Sequence, residues 1–244
     1  MKVLAIGNSF SQDAMRYLHE IAKSEGYEMK TVNLMIGGCP LSRHFIHMEN
    51  GDAAYGFEFN GHSTGIQVSI RQALQSDMWD VVTLQQVSHL SPQYETFQPY
   101  LNRLAGYVRY HAPKAALLLH QTWAYEQNSY RLCQELGYAD QADMFADVQA
   151  SYAKAAVELG GVGIIPSGQA FQYLYQEGLA MHRDTFHASF GLGRYALGLV
   201  WYECLTGNSC IGNAFRAFDK PVPEREALLA QQCVHRAVQA YRKI

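Results

Sequence analysis

The sequence predicts an α/β protein: a three-layer α/β/α sandwich of flavodoxin-like type, built on a parallel sheet of about five strands. Two observations carry that expectation. Short apolar, β-prone runs recur at residues 3–6, 30–34, 81–84, 115–119 and 163–165, and the longer segments between them have helical periodicity. Strands that alternate with helices pair in parallel through crossovers, and a parallel sheet needs helices on both faces.

The first run, Val3-Leu4-Ala5-Ile6, passes directly into Gly7-Asn8-Ser9, so an apolar strand ends in an abrupt turn. Over residues 13–23, Met15, Leu18, His19 and Ala22 fall at helical spacing and Gly26 supplies a stop, which predicts one crossover helix. The second strand, 30–34, leads into Gly37-Gly38. Residues 44–65 are rich in Gly, Asn, His and aromatics such as Tyr55, Phe57 and Phe59, with little periodicity. They read as a long loop with room for a small hairpin, and loops of that length are often functional.

The third strand, 81–84, precedes a periodic segment over 96–110 that ends near Pro113. After the fourth strand, residues 142–159 form another crossover helix, closed by Gly160-Gly161 before the fifth. A strongly apolar helix over 191–205 ends at Thr206-Gly207-Asn208, and an amphipathic helix over 224–241 follows. With no repeat, low-complexity tract or linker, residues 1–244 are expected to form one domain.

The composition suits that size: 244 residues, of which 48% are hydrophobic, are enough for a continuous core. A net charge of -3, with both signs scattered, gives no electrostatic reason to expect nucleic acid or an anionic membrane as partner. It points to small or neutral ligands, and it leaves the oligomeric state open. Five cysteines, with no CxxC pair, read as buried free thiols. No apolar run reaches the roughly 18 residues of a membrane span, and the chain opens on its first strand without a signal-peptide pattern. The default expectation is a cytoplasmic protein, with a mature secreted or periplasmic form as the alternative.

A serine hydroxyl becomes a useful nucleophile when a base takes its proton and a third group orients the base. Ser9 follows the first strand, at the carboxyl edge where open α/β sheets keep their ligands. Asp184 and His187 are three residues apart, so they can face one another on a tight loop, with Nε2 left for Ser9. Each half has an ordinary explanation: Asn8, Ser9, Ser11 and Asp13 are all good helix caps, and an Asp-x-x-His pair often makes a local hydrogen bond.

Taken together, Ile6-Gly7-Asn8-Ser9-Phe10-Ser11 and Asp184-Thr185-Phe186-His187 resemble the SGNH (GDSL-type) hydrolase superfamily, and more specifically an uncharacterised, largely bacterial branch of it. The resemblance runs from residue 3 to about residue 205. It implies Ser9 as nucleophile, His187 as general base and Asp184 as the orienting acid. For the oxyanion it implies the Ser9 N–H and the N–H of Gly38, with Gly37 the adjacent alternative.

The family's third donor, an Asn in a Gly-x-Asn motif after the third strand, is missing: the chain reads Gln85-Gln86-Val87-Ser88-His89. Gln86 is the preferred substitute, with Gln85 and Ser88 as alternatives. Asn8 stands where the family commonly has Asp, a change the turn should tolerate. Trp123, after the fourth strand, is a candidate to stack on an acyl or sugar group, and packing is its ordinary alternative. Phe57, Phe59 and His62 could form a lid or a satellite cluster.

His44 with His47, and His182 with His187, have no carboxylate or cysteine at a recognised ligand spacing, so no metal is expected. Phosphate-binding fingerprints are absent, so no nucleotide cofactor is expected either. The resemblance therefore implies a serine esterase or acylhydrolase, removing a short acyl group such as acetyl from a carbohydrate or other small ester. The alternative, motivated by the missing donor, is a non-catalytic binding domain of the same fold for a glycan or small polar ligand.

Overall fold

The computed structural model describes residues 1–242. β1 (Lys2–Gly7) is buried from Val3 to Gly7, as a strand covered on both faces should be. α1 (Ser9–Met15) and α2 (Leu18–Ser24) follow, so the single helix expected over 13–23 begins earlier and breaks in two. Asn8 causes the early start, because its side chain accepts from the Phe10 N–H within a reciprocal capping box with Ser11. The break falls at Tyr17, whose ring packs against Phe215 and Phe218 while its hydroxyl bonds the Phe190 carbonyl and the Asp219 N–H.

β2 (Lys30–Met35) is followed by α3 (Leu41–Asn50), β3 (Tyr55–Phe59) and β4 (His62–Val68), where the sequence suggested mainly loop. Leu41, His44 and Met48 form the buried stripe of α3, and Gly51 ends it in a left-handed conformation. The hairpin turns at Asn60-Gly61, both at positive φ, a two-residue signal legible in the sequence. α4 (Ile70–Gln75), capped by Ser69, leads to β5 (Val81–Leu84). α5 (Tyr100–His111), β6 (Ala116–His120), α6 (Gln141–Glu158) and β7 (Gly163–Ile165) complete the alternating part. α7 (Ser167–Gln176), α8 (Leu192–Thr206) and α9 (Glu224–Arg242) close the fold, α7 being a helix the sequence reading did not identify.

The strand order is β4-β3-β2-β1-β5-β6-β7. The five expected strands are all present and pair in parallel, while β3 and β4 extend the β2 edge as an antiparallel hairpin, making seven strands rather than five. One face packs on α1, α2, α7, α8 and α9 through residues such as Phe10, Leu18, Phe171 and Trp201. The other packs on α3, α4, α5 and α6, with Leu41, Leu74, Leu104 and Tyr152 in one cluster with Ile6 and Leu84. Because the chain leaves β1 for β2 on one side and later reaches β5 on the other, the order reverses at the carboxyl end of β1. Open α/β sheets bind ligands at such a switch point, and Ser9 stands there. No helix among the described residues is long and apolar enough to cross a membrane.

Candidate active site

The turn after β1 is built by close approach. A Cβ on Gly7 would lie 2.3 Å from Ser11 Oγ and 2.9 Å from Gln85 Oε1, so only glycine fits. Asn8, almost fully buried, accepts from the Phe10 N–H at 3.0 Å through Oδ1 and donates from Nδ2 to the Cys39 carbonyl at 3.2 Å. One side chain thus starts α1 and draws the turn after β2 alongside it. Ser9, half-buried, is the first residue of α1.

Residues 182–189 form a loop closed on itself. His182 and Ala188 make an isolated antiparallel bridge, the Arg183 N–H donates to the His187 carbonyl at 3.0 Å, and the Ser189 N–H donates to the Met181 carbonyl at 2.7 Å. The tight reversal puts Thr185 at φ 74°, unusual for a β-branched residue and a mark of local strain. It also turns the carboxylate of Asp184 onto His187: Oδ1 accepts the backbone N–H at 2.9 Å and Oδ2 accepts from Nδ1 at 2.8 Å. A carboxylate only accepts, so Nδ1 carries the proton and Nε2 is left as acceptor. His187 Nε2 lies 2.8 Å from Ser9 Oγ. Partial burial pushes the Asp184 carboxyl up, but the two hydrogen bonds from His187 and the nearby Arg183 guanidinium outweigh it and hold it below its ordinary value.

The structure therefore brings Ser9, His187 and Asp184 into one line, and the turn that contains Gly38 is joined to the Ser9 turn through the bond from Asn8 Nδ2 to the Cys39 carbonyl. Gly38 is exposed at φ 59°, in a tight turn closed by the Cys39 N–H on the Ile36 carbonyl. The left-handed conformation explains glycine there.

The expected roles of Gln86 and Trp123 do not fit this geometry. Gln86 is fully buried; its Oε1 accepts from the N–H groups of Leu41 and Val87, and its Nε2 is directed at the carbonyl and hydroxyl of Thr96. Its amide satisfies backbone between β5 and α3 and has no donor turned toward Ser9. Of the alternatives, Ser88 Oγ pairs with the Tyr125 hydroxyl, and Gln85 Nε2 donates to Asn8 Oδ1 at 2.9 Å. Trp123 has no exposed surface: it stacks between Phe10 and Phe171 at 4.0 and 4.7 Å, and its Nε1–H donates to the Phe186 carbonyl at 2.8 Å. It supports the loop that carries His187 and offers no face to a ligand. His44 and His47 go to the Tyr55 hydroxyl and to Asp52. Phe57 and Phe59 lie on β3 and His62 opens β4, so all three belong to the sheet extension.

The sequence reading missed a buried relay behind Asn8. His120 Nδ1–H donates to Gln85 Oε1 at 2.9 Å, and Ser167 Oγ stands 3.1 Å from Nε2. Burial pulls the His120 imidazole down to about 3, so it is neutral and the chain of hydrogen bonds has one direction, from Ser167 to Asn8. A polar run at a strand end hints at such a network, but its partners lie on β6 and α7, far away in sequence.

Comparison with known proteins places this geometry in context. A family model described as a domain of unknown function, DUF4886, matches residues 2–237. A DUF4886 family protein from Bacteroides uniformis is 35% identical with a TM-score of 0.92, over 98% of this chain and 95% of that one. A candidate SGNH hydrolase from Slackia heliotrinireducens is 21% identical with a TM-score of 0.59, over 83% and 97% of the two chains. An acetylxylan esterase from Geobacillus stearothermophilus, Axe2, is 14% identical with a TM-score of 0.51, over 83% and 90%. No curated protein matches the chain.

Proposed function

The chain belongs to the DUF4886 family and has the SGNH-hydrolase fold, and from that premise we propose that it is a serine esterase acting through Ser9, His187 and Asp184. The observation that carries the proposal is the unbroken line from Asp184 Oδ2 through the His187 ring to Ser9 Oγ, 2.8 Å at each end. In the proposed cycle Ser9 Oγ attacks an ester carbonyl as His187 Nε2 takes its proton. The N–H groups of Ser9 and Gly38 hold the oxyanion. His187 then gives its proton to the leaving alcohol, and an acyl-Ser9 remains. Water attacks that ester with His187 again as base, releasing the acid and restoring the serine, while Asp184 stabilises each transient imidazolium.

A short acyl group, acetyl above all, on a carbohydrate or other small ester is the proposed substrate class. Its support is the fold shared with an acetylxylan esterase, which is an analogy of scaffold. A binding-only reading has one observation behind it, the absence of a Gln86 amide facing Ser9. A fluorophosphonate probe together with acetylated xylo-oligosaccharides and 4-nitrophenyl acetate tests both. Covalent labelling and turnover in the wild type, lost in Ser9→Ala and His187→Ala, are the expected result. Equal labelling of wild type and Ser9→Ala would remove Ser9 as nucleophile.

A further inference from the structure

The proposed chemistry makes no use of Asp13, yet this carboxylate is fully buried one helical turn beyond Ser9. Its Oδ2 accepts from Arg183 Nη1 at 2.8 Å and its Oδ1 from Arg194 Nε at 2.8 Å. Arg194 continues to Asp219 at 2.8 Å, and Arg16 grips Asp219 with two N–H groups at 2.9 and 2.6 Å. A carboxylate taken out of water is costly unless charged donors meet both oxygens, and here two guanidinium groups do so. Breaking one side leaves buried charge uncompensated, so the pair resists displacement far more than an exposed one.

Arg183 immediately precedes Asp184. Its backbone N–H holds the His187 carbonyl, and its Nη1 also reaches the Ala188 carbonyl. One residue therefore pins both ends of the loop that carries Asp184 and His187, and the same guanidinium fastens that loop to α1. The Phe190 ring lies 4.6 Å from the Arg183 guanidinium and 4.5 Å from that of Arg194.

We infer that Asp13 is a positioning residue: through Arg183 it locks the Asp184–His187 loop against the helix that begins at Ser9, and so sets the distance between base and nucleophile. The inference rests on the serine-esterase reading for its catalytic meaning. Ser9 and Asp13 share one short helix, and Arg183 and His187 share one closed loop, so the ion pair and the Ser9–His187 hydrogen bond complete a ring of contacts. From the opposite side, Trp123 Nε1–H on the Phe186 carbonyl and the Glu126 N–H on the Thr185 carbonyl hold the loop's outer edge. Trp123 and the rings of Phe186 and His187 also meet Phe10 of α1, but by apolar ring contact, so the Asp13–Arg183 pair is the charged, directional tie between loop and helix.

Arg183→Gln is the decisive variant, because Asp13 keeps its pairing with Arg194 and the core is untouched. Asp13→Asn tests the other side of the tie. Asp77→Asn, which removes an ion pair with Lys2 and Lys30 at the amino-terminal edge of the sheet, is the stability control. Arg183→Gln and Asp13→Asn are expected to lower kcat for 4-nitrophenyl acetate by about 10- to 100-fold with KM little changed, since a displacement near 1 Å costs on that order. Asp77→Asn should keep wild-type kcat, and the double variant should lose no more than the worse single. A second readout needs no turnover: the downfield proton resonance of His187 Nδ1–H should be sharp in the wild type and broadened by exchange in Arg183→Gln. A folded Arg183→Gln with wild-type kcat and a sharp resonance would overturn the inference. So would a kcat loss that Asp77→Asn reproduces at equal loss of Tm. If the wild type neither labels at Ser9 nor hydrolyses esters, the esterase reading falls, and the resonance still decides whether the tie positions the loop.

Discussion

Asp184→Asn should cost about 10⁴-fold in kcat, because the local geometry forces the wrong tautomer onto His187. Asp184 faces two donors: the His187 backbone N–H at Oδ1, 2.9 Å away, and Nδ1–H at Oδ2, 2.8 Å away. The backbone N–H cannot become an acceptor, so an asparagine must turn its amide oxygen toward it. Its NH2 group then faces Nδ1, which has to shed its proton and accept. The proton moves to Nε2, the atom 2.8 Å from Ser9 Oγ, and the imidazole can no longer take the serine's proton. Inversion of this kind in a Ser-His-Asp triad lowers kcat by about 10⁴, a barrier increase of about 5.5 kcal/mol. The side chain is exposed, so stability should change by no more than about 1 kcal/mol. Steady-state hydrolysis of 4-nitrophenyl acetate, with thermal unfolding as a check on folding, measures both. Activity within ten-fold of wild type would refute the tautomer argument and with it the role given to Asp184.

Gln86→Leu should destabilise the protein by about 2–4 kcal/mol, since it strips partners from buried N–H groups of Leu41 and Val87. kcat per folded molecule should hold; a fall of about 10²-fold or more would instead mark an oxyanion donor. Trp123→Phe removes the donor to the Phe186 carbonyl along with part of the stacking on Phe10, which should cost about 2 kcal/mol in denaturant unfolding. An unchanged midpoint would argue against Trp123 as the support of that loop. Burial pulls the imidazoles of His44 and His120 down to about 3 and that of His182 to about 4. Each takes up a proton on unfolding once the pH is below about 6.5, so stability should fall as pH drops from about 6.5 toward 4, by up to about 1.4 kcal/mol per pH unit for each group. Urea midpoints that stay flat between about pH 7 and pH 5 would contradict this.

The five parallel strands were legible because burial on both faces leaves near-continuous apolar runs such as Val3 to Ile6, or Val81 to Leu84 with Thr83 alone polar. β4 was not, since it is exposed along nearly its whole length and shows no alternation, although Asn60-Gly61 marks its turn. α3 was hidden by His44, a polar residue type occupying a buried position. Ser9, Asp184 and His187 stood out through short motifs with a recognisable order. The assignments that missed depended on which neighbour meets a side chain: Gln86 faces Thr96 across a loop, and Trp123 meets Phe186 across about a quarter of the chain. The Asp13–Arg183 pair left no trace at all, because a contact between residues 170 positions apart imposes no periodicity on either segment.

Ser9 stands where a central strand meets a helix, whereas His187 stands on a loop with no strand or helix of its own. Opening β1 exposes the whole core, so the serine's surroundings are as durable as the fold itself, while residues 182–189 keep their place only as long as a few moorings hold: Asp13 on Arg183, Trp123 on Phe186 and Glu126 on Thr185. A change that releases those moorings would move His187 away from Ser9 while the sheet is still intact. The reach of His187 to Ser9 thus depends on a handful of side-chain moorings and not on the sheet alone.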